Sequence, residues 1–188
     1  MSNNASFKID INFKNIKSLE QMISKLDDFI KKTSDFTPFF EQTIIPDIYK
    51  QNSQIFTNKG YNEYGDGNQW ADNQPGYANW KKGNAGKTVD NLFGNYPKTL
   101  TISNNPDIGV LTGKMKKALT NQGGLKQDIY NSGSTLKVSV PNDISYMQDF
   151  KEGTMFSPPR NIFFIGNNQR EHWKTKLSEY LGVGALVS

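Results

Sequence analysis

Residues 144–181 read ISYMQDFKEGTMFSPPRNIFFIGNNQREHWKTKLSEYL, and three kinds of local order follow one another within them. Ile144, Met147 and Phe150 recur every third residue, which predicts a short helix laying one face on a core. Gly153 stands just beyond and suits the left-handed residue that ends such a helix. Pro158 and Pro159 force an extended path, and residues 161–166 form an apolar run too short for a buried helix. After a turn at Asn167-Asn168, Asn168 and Glu171 have capping-box spacing. Trp173, Leu177, Tyr180 and Leu181 fall on one stripe of the helix that follows. The stretch reads as helix, extended arm over about 154–166 carrying one cation at Arg160, then helix.

Working outward to the N-terminal side, Phe7, Ile9, Ile11 and Phe13 alternate with polar residues, the period of a half-buried strand. Ser18 and Gln21 form a capping box, and Ile16, Leu19, Ile23, Leu26 and Ile30 repeat at helical spacing as the core face of a first helix. Lys31 and Lys32 complement its negative end. Thr37-Pro38 opens a second helix with a broad apolar face of Phe39, Phe40, Ile44, Ile45 and Ile48. Pro46 lies inside that helix and is expected to kink it, because it removes one hydrogen bond and crowds the preceding turn.

Between about residues 57 and 105 periodicity fails. Glycines interrupt the segment, and Tyr61, Tyr64, Trp70, Tyr77, Trp80, Phe93 and Tyr96 are threaded between them. A structureless loop of this length is uncommon in a compact domain. Two readings follow: an arm that is mobile in a free subunit and orders on a partner, or a segment folded around its own aromatics. Order returns near Ile108. Thr112 is placed to cap a helix beginning at Gly113, with Met115 and Leu119 inward and Lys114, Lys116 and Lys117 outward. Residues 128–131, a Ser132-Gly133 turn, and Leu136, Val138 and Val140 in alternation read as a β-hairpin stopped by Pro141. The expected fold is therefore α+β in one domain of residues 1–188. A small, mainly antiparallel sheet of N-terminal strand plus hairpin packs on several helices, with a long Gly/Asn/aromatic insertion.

The 188 residues suffice for a core, but only 35% are hydrophobic, which fits a modest core with long polar loops. Cysteine is absent, which excludes disulfides and thiolate metal sites. The start, MSNNASFKIDINF, has no apolar core segment, and no run approaches a membrane span, so a soluble chain made in a cytoplasm is expected. A net charge of +4 is mild, and the basic cluster Lys114–Lys117 reads as a solvated helix face rather than a nucleic-acid patch.

Candidate chemistry is sparse. Residues 83–88, GNAGKT, resemble a phosphate loop, but that motif needs glycine at position 81, where Lys stands, and a buried strand before it. The single histidine, His172, lies beside Trp173 and reads as a solvated helix residue rather than a metal ligand or general base. Glu63 and Asp66 lie in the aromatic segment, where a carboxylate pair could serve a glycosidase, an alternative in which the segment serves a carbohydrate- or wall-directed binding module or hydrolase. Their plainer role is to keep a Gly-rich loop soluble. Arg160, held out by two prolines, reads either as a cation offered to a neighbour's carboxylate or as half of an intrachain pair with Asp149 or Glu152.

Tyr146, Gly153-Thr154, Pro159-Arg160 with aromatics just beyond, and a closing amphipathic helix together resemble the C-terminal half of the neck proteins of tailed phages, the tail-completion and head–tail joining family. Residues 111–115, LTGKM, resemble that family's hydrophobic-Thr-Gly-basic-hydrophobic signature, while Ala118 and Met147 depart from its usual residues. The resemblance covers roughly residues 108–181 and, more loosely, the first two helices. It implies a structural virion protein without catalytic role or cofactor, made in the host cytoplasm. It further implies a homo-oligomeric ring joining portal or adaptor connector proteins to tail tube or tail terminator proteins. DNA would pass through its channel without sequence-specific binding, and no membrane is involved. Closed rings need two different adhesive faces on each subunit. The candidates are Phe156, Arg160, Ile162, Phe163 and Phe164 in the arm, and Tyr61, Trp70, Tyr77 and Trp80 in the aromatic segment.

Overall fold

The structure, a computed structural model, describes residues 18–90, 99–104, 113–141, 151–153 and 158–183. Among them are helices and two small antiparallel sheets of two strands each, an α+β fold. The expected strand over residues 7–13 and the expected helix over residues 144–150 lie outside the described residues. The chain divides into two compact units, whose described parts are 18–46, 127–137 and 167–183 in one and the remainder in the other.

In the first unit, α1 (Leu19–Ser34) begins as expected, with Ser18 Oγ accepting from the Gln21 backbone N–H at 3.3 Å. That bond satisfies one of the donors a helix start leaves open. After Asp35, whose carboxylate accepts from the Thr37 N–H at 2.8 Å, the chain enters α2 (Thr37–Phe39). It then passes through a π-helical turn over Phe40–Ile44 into α3 (Ile45–Thr57). Where a kink was expected at Pro46, the chain forms this wider turn. Pro46 has no N–H to offer Gln42 and its ring crowds that carbonyl. A wider turn just before it, with Ile45 N–H reaching back to Phe40 O, relaxes both.

Helix α6 (Asn167–Leu181) packs against α1. It starts two residues ahead of the first helical position that a cap at Asn168 implies. Phe39 meets Tyr180 at a centroid distance of 5.3 Å, and Lys32 Nζ lies 5.3 Å above the same ring while pairing with Asp28. Most of the β3 (Lys126–Tyr130) and β4 (Thr135–Ser139) hairpin belongs here too. Its Ser132-Gly133 turn forms as expected, with both φ values positive (53° and 80°) and Ser134 N–H donating to Asn131 O.

The second unit holds the better core. Ile55 and Leu119 are fully buried, with Ile48, Ile102, Met115 and Leu125 close behind. Met115 and Leu119 are the inward residues expected of α5 (Lys114–Thr120), while Lys116, expected outward, is half-buried with its ammonium 5.8 Å from the centre of the Phe56 ring. The aromatic insertion is not structureless. It contains α4 (Pro75–Gly83) and a ladder of β1 (Thr88–Asp90) with β2 (Thr99–Thr101), register Val89 opposite Leu100. Three-residue strands are below the length at which alternation can be read, and α4 opens at Pro75 without an apolar repeat.

Candidate functional site

The chain's arm and its aromatic segment are built into one another within the second unit. At the end of α3 the backbone turns through Lys59 and Gly60, and Trp70 N–H returns to Lys59 O at 2.7 Å. Between these points Asn62, itself buried, organises the loop: its Oδ1 accepts from the N–H groups of Tyr64 at 3.0 Å and Asp66 at 2.9 Å. Tyr61 bridges Gly67 in an antiparallel pair. A side chain at Gly67 would collide with the Gly60 carbonyl and with the Phe164 ring of the arm, so only glycine admits this approach.

Trp70 is 3% exposed, edge-on to Phe56 at 5.5 Å, and its Nε1 donates to Asn161 O at 3.2 Å. Arg160 is 2% exposed, and its Nη2 donates to Ala71 O at 3.0 Å and to Asn73 Oδ1 at 2.8 Å. Burial pulls its guanidinium below the ordinary arginine value, with Tyr77 and Asp72 nearby acting in the opposite sense. Tyr77 stacks on Trp80 along α4 at 5.9 Å and 19°, and burial pushes its phenol up.

These positions correct part of the expectation for an intersubunit face. Arg160 does not present its charge to a neighbour, because that charge is inside the fold, bonded to the aromatic segment. Trp70 and Ile162 are likewise buried within the unit and have no surface to offer. Tyr77, Trp80, Phe163 and Phe164 are half-buried, and Tyr61 is exposed. Phe156 lies outside the described residues.

The catalytic alternatives meet specific geometry. Glu63 pairs with Lys50 Nζ at 2.6 Å and its backbone N–H donates to Gln51 Oε1 at 2.9 Å. Lys50 and the Gln51 amide hold its carboxyl below the ordinary glutamate value, the reverse of what a general acid needs. Tyr64 donates to Asp47 at 3.0 Å, and its phenol is pushed well up, chiefly by burial. The GNAGKT stretch runs from the end of α4 through a turn into β1, opposite in order to a phosphate loop, and Lys87 Nζ donates to Gly83 O at 2.8 Å.

One surface the interface expectation passed over stands out on α1. Its apolar repeat was expected to be a core face, yet Leu19 is 68%, Ile23 50% and Ile30 62% exposed, with Met22 also exposed and Leu26 half-buried. The sequence signal was present in the seven-residue spacing of Leu19 to Leu26 and Ile23 to Ile30, which suits a helix–helix seam as well as a globular core. No family model, curated protein or solved structure matches the chain.

Proposed function

We propose that this chain is a structural subunit of the head–tail junction of a tailed phage, a tail-completion or neck component that assembles into a ring and joins connector to tail. The observation that carries the reading is the open apolar stripe of Leu19, Ile23 and Ile30 on a helix that also contacts α6. A contiguous exposed apolar patch marks an interaction surface rather than chance composition. The arm and aromatic segment are fastened to each other through Arg160 and Trp70 within the second unit. The role is architectural, with no turnover, cofactor or membrane, and DNA passes without being read.

Two measurements test it. The native mass of the purified chain is expected to rise with concentration to a discrete oligomer. Purified virions of a phage encoding the chain are expected to contain it at the neck, and its deletion to leave full heads without tails. A chain that stays monomeric and is absent from virions overturns the proposal. Retention on cell-wall polysaccharide, lost with Trp80→Ala, would favour the carbohydrate reading instead.

A further inference from the structure

We infer that α1 is a parallel self-pairing seam, and that the occupant of its open stripe is the same helix of a second copy of this chain. The inference rests on the reading of the chain as an assembling subunit and names the contact. In heptad terms Ile23 and Ile30 take position a, and Leu19 and Leu26 position d. Ile at a with Leu at d is the arrangement that favours two parallel strands. The flanks select the direction. Position e holds the exposed acids Glu20 and Asp27, and position g holds Met22 and Phe29. Parallel pairing sets e beside g, so each acid meets an apolar neighbour. Antiparallel pairing sets e against e and opposes Glu20 to Asp27 of the other copy, a like-charge contact.

The seam spans two heptads, too short to hold two free peptides together. Here α1 is already ordered on α6, so pairing does not have to fold the helix. Parallel pairing uses the same stripe on both copies, so it closes as a two-fold dimer just as antiparallel pairing does, with the axis along the helices rather than across them, and a larger ring takes further, different faces.

The absence of cysteine makes the test clean. In a parallel pair, position 19 faces its own counterpart, within the roughly 4.4–6.8 Å Cα separation a disulfide needs. The Leu19→Cys chain, oxidised mildly at micromolar concentration, is expected to give a covalent dimer as its main product, and Ile30→Cys the same. Adding Ile23→Asp to either is expected to cut that product at least tenfold while leaving the melting temperature of the reduced chain unchanged, since position 23 is half exposed.

Three results overturn the seam. A disulfide that forms only when Leu19→Cys and Ile30→Cys chains are mixed means antiparallel pairing. No disulfide with a thiol that reacts freely with maleimide means an empty stripe. No disulfide with a thiol protected in a monomer means that the chain's own residues before Ser18 cover it. Native mass separates the two readings. A discrete oligomer without crosslink leaves the assembly reading standing and removes only the α1 contact, whereas a monomer removes both.

Discussion

Arg160 Nη2 donates to Asn73 Oδ1 at 2.8 Å across 87 residues of sequence, and the same nitrogen reaches the Ala71 carbonyl at 3.0 Å. A guanidinium buried this deeply ties the arm to the aromatic segment by two charge-assisted bonds. Arg160→Ala is expected to lower stability by about 2–3 kcal/mol, the worth of hydrogen bonds to a charged donor. Asn73→Ala removes one acceptor and is expected to lose about half as much. Urea midpoints of the three chains at constant slope check this, and an unchanged midpoint for Arg160→Ala would mean that the arm is held by its apolar contacts alone.

Gly133 and Gly123 have nearly the same backbone, φ of 80° and 79°, but different surroundings. A Cβ at Gly133 would run into the Asp35 carboxylate and lie 2.9 Å from Thr37 Oγ1, whereas one at Gly123 meets nothing within 4 Å. Gly123→Ala is therefore expected to lose about 1–2 kcal/mol from left-handed backbone strain alone. Gly133→Ala should lose that plus the cost of displacing Asp35 from the Thr37 N–H, roughly 1 kcal/mol more. Thermal melts of the pair isolate the contact, and equal losses would show that the hairpin turn does not need it.

Glu63 gives stability a defined pH dependence. Its carboxyl is held below the ordinary value of 4.5, first by the hydrogen bond from Lys50 and then by Gln51. A depressed carboxyl contributes stability that is fully present above its unfolded value and is lost as pH falls through its folded value. Stability should thus fall from about pH 4.5 downward, and Glu63→Gln should flatten that part of the profile while lowering the plateau at pH 7. Lys50 works from the other end. Its ammonium is raised above 10.5 by the same bond, so its contribution is present below that pH and is lost as pH rises through the raised value. Both groups are exposed, and high salt should weaken both effects. Denaturation midpoints from pH 3 to 7 read out Glu63 and midpoints from about pH 9 upward through the raised lysine value read out Lys50, each in low and high salt.

The elements legible in the sequence are those whose signal is local. Ser18 with Gln21, the inward Met115 and Leu119, and the Ser132-Gly133 turn each need only a few neighbouring residues to be recognised. What escaped depends on distant partners. Nothing near Arg160 says that its acceptors lie at Ala71 and Asn73, whereas Asp149 and Glu152 are simply its nearest preceding acids along the chain. The Gly-rich context of Trp70 suits a contact surface and a self-packed cluster equally, and its burial comes from Phe56 on α3 and Asn161 on the arm. The α1 repeat shows the complementary failure. Periodicity located the apolar face correctly, while whether the same chain covers it is a tertiary fact.

Helix α3 closes the end of α5 with two of its side chains. Helix ends leave carbonyls without intrahelical donors, and those that are buried must find other partners. Asn52, 2% exposed on α3, donates from Nδ2 to Leu119 O at 3.0 Å, and Tyr49, one turn earlier, accepts the Leu125 N–H on its hydroxyl at 3.0 Å. Gly124 lies between them, where a Cβ would strike the Ala118 backbone, so the chain leaving α5 is pressed close to its own last turn. Two side chains from one helix thus take up one acceptor and one donor of a buried connection. Tyr49→Phe keeps the ring and strands the Leu125 N–H, which is expected to lower stability by about 1–3 kcal/mol, and Asn52→Leu should lose a similar amount by stranding the Leu119 carbonyl. Because both act on residues 119–125, the double variant should lose less than the sum, with a coupling of at least about 0.5 kcal/mol. Amide exchange supplies the local readout: Leu125 N–H should exchange faster in Tyr49→Phe than the change in global stability explains. If it stays as protected as in the unaltered chain, water or a relaxed backbone replaces the tyrosine, and α3 does not hold the end of α5 in the way argued.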